Sequence, residues 1–256
     1  METVAVLNQK GGTAKTTTCH ALGAGLARRG YRVLFVDLDA QGNLSYSIGA
    51  AGASPTIADL LQQAIDHPEA LDTRSAIKHT PQGDIIASSP NIAGADTVLA
   101  DTLGREYKLK EILEPVKAEY DFIVIDTPPT LGTLTINALT AADTAIAPAQ
   151  ADIYSMTALA QLQTTVETVK RYTNPSLSLK GILLTRYNAR AVITREVAER
   201  LEQTAGEYGT KLYRARIREC TALKEAAITQ TDIFSYAPRS NAAKDYGDFI
   251  AEFLER

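Results

Sequence analysis

The stretch Gln9-Lys10-Gly11-Gly12-Thr13-Ala14-Lys15-Thr16-Thr17-Thr18 constrains this chain more than any other. It lies between the apolar run Val4-Ala5-Val6-Leu7 and a helical-looking segment, Cys19 to Arg29. A strand that enters a glycine-bearing turn and then a helix aims several backbone N–H groups, and the positive end of the helix dipole, at one point. That point suits phosphate. The backbone from Gly11 and Gly12 through Thr13, Ala14, Lys15, Thr16 and Thr17 is the expected cradle. The Lys15 ammonium would hold the outer phosphates, and the Thr16 hydroxyl would ligate a magnesium ion. In the general pattern of such loops Gln9 and Ala14 occupy the two glycine positions. A methyl at position 14 requires a negative φ or some strain.

Two further strand ends carry acids. Arg32-Val33-Leu34-Phe35-Val36 is a near-continuous apolar run that ends in Asp37 and opens the loop Asp37-Leu38-Asp39-Ala40-Gln41-Gly42-Asn43. Asp121-Phe122-Ile123-Val124-Ile125-Asp126 repeats the arrangement and leads into Thr127-Pro128-Pro129-Thr130-Leu131, a segment placed to sense a terminal phosphate. Runs of this kind read as strands buried on both faces of a parallel sheet, and ligands bind beyond the C-terminal ends of such strands. Asp37 and Asp126 are therefore metal-shell candidates with Thr16, and one carboxylate of the Asp37–Asp39 pair can orient a water.

The segment Lys-Gly-Gly-x-x-Lys-Thr-Thr, with Lys10 five residues before Lys15, resembles the deviant Walker A family of ParA and MinD ATPases. The resemblance runs from residue 3 to the end of the chain. It implies binding of ATP with Mg2+ and a homodimer in the ATP state, with Lys10 crossing to the phosphates of the second subunit. Asp39 takes the water-positioning role, because 37–43 matches a family loop in which proline usually stands where Ala40 does. The catalytic set it implies is Lys10, Lys15 and Asp39. Thr185-Arg186-Tyr187-Asn188 looks like the segment that lies near adenine in MinD-like members, which makes Arg186 and Asn188 nucleotide candidates.

The rest of the pattern alternates. Helices are expected at Leu109–Ala118, with Pro115 ending or kinking it, then at Leu134–Ala142, Ser155–Tyr172, Ile193–Tyr208, Thr221–Ile228 and Ala242–Leu254. Strands are expected at Thr144–Ala147, Gly181–Leu184 and Leu212–Ile217. This is an α/β chain with a doubly wound, mostly parallel sheet and helices on both faces. Residues 1–256 are expected to form one domain, with 50–90 a variable insertion at one edge. The opening Met1-Glu2-Thr3 leaves no room for a signal peptide or an N-terminal DNA-binding extension, so a cytoplasmic, nucleoid-associated protein is expected. His20, His67 and His79 are isolated, and Cys19 and Cys220 are too far apart for a zinc or disulfide motif.

Charge separates the possible cargoes. The net charge is −4, yet residues 180–224 hold 10 Lys and Arg against 5 Asp and Glu. Such a local excess suits phosphate contacts. Arg190, Arg195, Arg216, Arg218 and Lys224 are the DNA-binding candidates. The ParA resemblance places a DNA-contacting arginine at Arg190. A second family arginine would fall on Ala222, so that contact is missing or has moved to Lys224 or Arg218. Arg186 and Arg218 stay open as adenine-edge contacts. The C-terminal stretch from Asp245 has four acids and one base, Arg256, and anionic lipid would repel it. The expectation is an ATPase that partitions plasmid or chromosomal DNA, binds DNA non-specifically and is stimulated by a ParB-like centromere-binding protein. Two alternatives stay open: an ATPase that positions another cargo on membrane or nucleoid, and a non-enzymatic nucleotide-switched module.

Overall fold

In the computed structural model, residues 1–188 and 190–255 are described; Ala189 and Arg256 lie outside them. The order of elements is β1 (Glu2–Val6), α1 (Lys15–Ala27), β2 (Val33–Asp37), α2 (Asn43–Ser47), α3 (Ile57–Asp66), β3 (Ile77–Lys78), β4 (Asp84–Ile86), α4 (Ala95–Ala100), α5 (Lys108–Leu113), β5 (Phe122–Asp126) and α6 (Thr133–Ala141). It continues through β6 (Thr144–Gln150), α7 (Ile153–Tyr172), β7 (Ser178–Tyr187), α8 (Val192–Glu207), β8 (Leu212–Arg218), α9 (Ala222–Ile228), α10 (Ile233–Tyr236) and α11 (Asn241–Leu254).

The strands form one sheet in the order β3-β4-β2-β5-β1-β6-β7-β8. Neighbours pair in parallel except β3 with β4. Because side chains alternate along a strand, each apolar run serves two layers. Leu34, Val36, Ile123 and Ile125 face the layer of α3, α5, α6, α7 and α8, while Val33, Phe35, Phe122 and Val124 face α1 and α11. The central strand β1 sends Ala5 to the first layer and Val4 and Val6 to the second.

Helix α1 is buried on nearly every side, which explains its small residues. A Cβ on Gly23 would stand 2.2 Å from the Phe35 ring, and one on Gly25 would stand 2.3 Å from Ile250 Cδ1. Glycine costs helix stability, and here it lets the helix that follows the loop press directly onto β2 and α11.

Several boundaries differ from the sequence expectations. Helix α1 starts at Lys15, four residues before Cys19, so Lys15 through Thr18 sit in its first turn. Strand β7 runs to Tyr187, which puts Thr185, Arg186 and Tyr187 inside a strand. Helix α5 stops at Leu113, short of Pro115. In the 50–90 segment, β3 and β4 lie at one sheet edge, but Ile57, Leu60, Leu61 and Ile86 belong to the core. Thr56 caps α3 there: the Asp59 carboxylate accepts from both its backbone N–H and its hydroxyl, each at 2.7 Å.

Candidate nucleotide site

The loop between β1 and α1 is pinned through its carbonyls. Thr13 Oγ1 donates to the Lys10 carbonyl at 3.2 Å, Gln150 Nε2 to the Gly12 carbonyl at 2.8 Å, and Thr185 Oγ1 to the Thr13 carbonyl at 3.0 Å. Asn8 braces the loop entry, donating to the Pro148 carbonyl at 2.8 Å and accepting from the Lys10 N–H at 2.9 Å. The first N–H groups of α1 have no partner within the helix, so this end is left for a ligand. The turn needs left-handed backbone twice, at Gly12 (φ 77°) and at Ala14 (φ 63°, ψ 34°), the N-cap of α1. The methyl at position 14 is thus accommodated with strain.

The parallel pairing brings the acids to one level. Asp37 pairs with Asp126 across β2 and β5, and Asp126 pairs with Val6 across β5 and β1. Asp37 is fully buried but satisfied: its Oδ2 accepts from the Ser45 N–H at 2.8 Å and the Ser45 hydroxyl at 2.7 Å, and its Oδ1 from the Asp39 N–H at 3.1 Å. Burial still pushes its pKa up to about 6, against the lowering effect of the Ser45 bonds. Asp126 is also fully buried, and neither of its oxygens has a hydrogen-bond partner among the described residues. Burial and the neighbouring Asp37 charge push its pKa well up. The Thr16 hydroxyl lies near enough to oppose that rise without making a hydrogen bond of ordinary geometry.

Lys15 is nearly buried; burial pushes its pKa down while Asp126 and Asp39 push it up. An unpaired carboxylate beside a hydroxyl and a helix N-terminus has the donor chemistry of a magnesium shell completed by phosphate and water. Among the described residues no three His, Cys, Asp or Glu side chains converge as a protein-only metal cage. The residues present therefore fit magnesium held together with a phosphate ligand.

Lys15, Thr16 and Asp39 border a cleft of about 470 Å³, and the fully buried Asp37 and Asp126 lie outside its lining. Gly11, Gly12, Ala14, Lys15, Thr16 and Thr17 form its floor, and Asp39, Gln41, Asn43 and Pro129 one wall. Arg186, Arg218, Cys220, Leu223, Lys224 and Tyr246 complete the lining, and Arg186 Nη1 lies against the loop, 4.0 Å from where a Gly12 Cβ would stand. The Thr127–Leu131 segment is tied at both ends, by Thr127 Oγ1 to the Val6 carbonyl at 3.0 Å and by Thr135 Oγ1 to the Thr130 carbonyl at 2.6 Å.

Other candidates lie elsewhere. Thr13 is fully buried and outside the cleft lining, its hydroxyl spent on the Lys10 carbonyl. Lys10 is ion-paired with Asp152, the N-cap of α7. Asn188 is outside the cleft lining and accepts from the Arg190 N–H at 3.1 Å. Arg190 and Arg195 are exposed. Arg216 is half-buried on β8, and burial lowers its pKa. Arg218 and Lys224 border the cleft, and Arg218 makes a two-point bond to Asp245 at 2.6 and 2.9 Å. Of the DNA-binding candidates, Arg218 is ion-paired with Asp245 among the described residues, and Arg216 Nη1 donates to the Ala215 carbonyl at 3.3 Å.

The AAA domain family matches residues 1–179. The sporulation initiation inhibitor protein Soj of Bacillus subtilis is 39% identical over 97% of this chain and 96% of its own length. The chromosome partitioning protein ParA of Myxococcus xanthus is 33% identical, over 99% and 88%. This chain belongs to the ParA/Soj family of partitioning ATPases. The fold agrees: cobyrinic acid a,c-diamide synthase from Mycobacterium smegmatis, solved with a bound ATP analog and magnesium, superposes with a TM-score of 0.83 at 32% identity, covering 98% of this chain and 93% of that one. In this ParA/Soj chain, sequence reasoning missed Asp152, Asp245 and Ser45. Their partners are 142, 27 and 8 residues away, and no local motif marks them. Among the described residues no helix is long and apolar enough to cross a membrane.

Proposed function

We propose that this chain is a partitioning ATPase that binds ATP with magnesium, dimerises in that state, and then binds DNA without sequence preference. Hydrolysis, stimulated by a ParB-like centromere-binding protein, returns it to the monomer. The observation that carries the reading is the Asp126 carboxylate, fully buried and unpartnered beside Thr16 and Lys15 at a helix N-terminus. A charge in that position is costly unless a cation completes it.

The roles follow from the cleft. The α1 N-terminus and Lys15 hold the outer phosphates, and Thr16 and Asp126, with Asp37 behind them, hold the metal. Bound magnesium neutralises charge that builds on the phosphate oxygens. Asp39, half-exposed beside Lys15, orients the attacking water. Lys10 leaves Asp152 to reach the phosphates held by a second copy. Arg190 and Arg195, exposed beyond the cleft, offer charge to a phosphate backbone, and Arg216 and Lys224 extend that surface. A cytoplasmic, nucleoid-bound location follows from this activity.

The test has two parts. Asp39→Ala should retain nucleotide binding and lose phosphate release; normal turnover would remove Asp39 from its role. Binding to random-sequence duplex should require ATP and weaken with salt, and Arg190→Ala should lower the slope of log affinity against log salt by about 1. Equal binding in ATP, in ADP and without nucleotide would refute the DNA switch.

A further inference from the structure

Helix α9 borders the cleft with Leu223, Lys224 and Ala227, and its apolar contact with the core runs through Ala226, with Ala222 and Leu223 partly buried against it. It has 7 residues, only Ala226 is buried, and Ile228 is 69% exposed. Beneath it lies a void of about 40 Å³ between Thr17, His20 and Ala21 of α1 and Leu223, Ala226 and Ala227 of α9. A helix over a void can shift unless polar bonds fix it.

Such bonds are present at its C-terminal end. Gln230 ends α9 in the left-handed region at φ 53°, its N–H donating to the Ala227 carbonyl at 3.1 Å and the next N–H, of Thr231, to the Ala226 carbonyl at 3.0 Å. The Gln230 carbonyl accepts from Gln82 Nε2 at 3.1 Å, and Gln82 Oε1 lies 2.7 Å from His20 Nε2. Since the amide nitrogen donates to Gln230, its oxygen must accept, and the His20 proton sits on Nε2. His20 is buried against the Phe35 ring and lies one turn along α1 from Thr16 and Thr17. The chain of bonds joins α1, whose first turn lines the cleft, to α9, which borders the same cleft.

We propose that His20 and Gln82 are positioning residues that set how closely α9 covers a bound nucleotide. They act through α9 and touch no ligand. The inference rests on the nucleotide reading of the cleft and adds a determinant of affinity that is distinct from the phosphate loop.

The experiment compares the full-length protein with Gln82→Ala and Gln82→Glu. It measures binding of a fluorescent ATP analogue and of ADP, displacement by inorganic tripolyphosphate, phosphate release and thermal unfolding. Gln82→Glu keeps an acceptor for His20 but loses the donor to Gln230, so both variants should weaken ATP and ADP about five- to tenfold, the effect of one net hydrogen bond. Tripolyphosphate affinity and kcat should change less than twofold, because the phosphate loop, Lys15, Thr16 and Asp39 are untouched. Unchanged nucleotide affinity in a wild type that binds would overturn the proposal alone. Equal weakening of tripolyphosphate would overturn it too, as general loosening of the site. A wild type that binds no nucleotide would overturn the reading of the cleft and this inference with it.

Discussion

Replacing Ala14 by glycine tests the left-handed turn at the start of α1. An L-residue in the left-handed helical region costs about 1–2 kcal/mol, and Ala14 sits there at φ 63°, ψ 34°. Glycine removes that strain but frees the unfolded chain, which offsets about 0.4–1 kcal/mol. The expected balance for Ala14→Gly is a gain between about 0 and 1.5 kcal/mol, a rise in Tm of up to roughly 5 °C for a chain of this size. The same change at Ala160, exposed within α7, has no such strain to relieve and should cost about 1 kcal/mol. Thermal unfolding of the two variants without nucleotide is the assay, and the opposite signs are the result. If Ala14→Gly lost as much stability as Ala160→Gly, position 14 would not be left-handed in solution.

Asp126→Asn removes a buried, unpartnered charge. Because burial and Asp37 push the Asp126 pKa well up, the stability gained by nucleotide-free Asp126→Asn should grow as pH rises, while the thermal shift given by ATP with magnesium should vanish; calorimetry across pH, with and without ligand, checks both. Asp152→Ser keeps a cap for α7 but releases Lys10. Light scattering should then show the ATP-state dimer forming at lower protein concentration, and an unchanged threshold would mean that the ion pair does not restrain Lys10. His20 titrates below its ordinary value because it is buried, so the unfolded chain takes up a proton that the folded chain resists. Its contribution is complete above about pH 6.5 and falls as pH drops below that. The stability advantage of wild type over His20→Asn should therefore shrink between pH 8 and pH 5 in denaturant titrations, and a constant difference would place the proton elsewhere.

The sheet's central strands were legible because Val4–Val6, Val33–Val36 and Phe122–Ile125 are apolar without interruption and end in a phosphate loop or an acid. The same logic put Asp37 and Asp126 at adjacent strand ends, where the register pairs them, and Lys15 and Asp39 line one cleft. The start of α1 was not legible, since Lys15-Thr16-Thr17-Thr18 combines a charge with β-branched residues of modest helix propensity. The loop bonds to Gln150 and Thr185 settle it instead. The end of β7 was hidden for a similar reason: Arg186 and Tyr187 are not an apolar continuation, and Tyr187 pairs with Arg218 of β8 past an irregularity at Arg186, whose φ is 50°. Arg218 looked like a free cation because Asp245 is 27 residues away, on a different element. His20 looked isolated because Gln82 and Gln230 are close to it only in the fold.

Strand β8 closes the sheet on one side and carries Arg214, Arg216 and Arg218 within seven residues. An open strand edge invites pairing with another chain, and charge along it discourages that. Carboxylates of α11 already accept from the Arg214, Ala215 and Arg218 N–H groups, and the arginine charges discourage pairing along the rest of the edge. A variant that strips them to abolish DNA binding would also expose a sticky edge, and its loss of function could be plain precipitation. Arg190, on an exposed turn away from any strand edge, can be removed without that confusion.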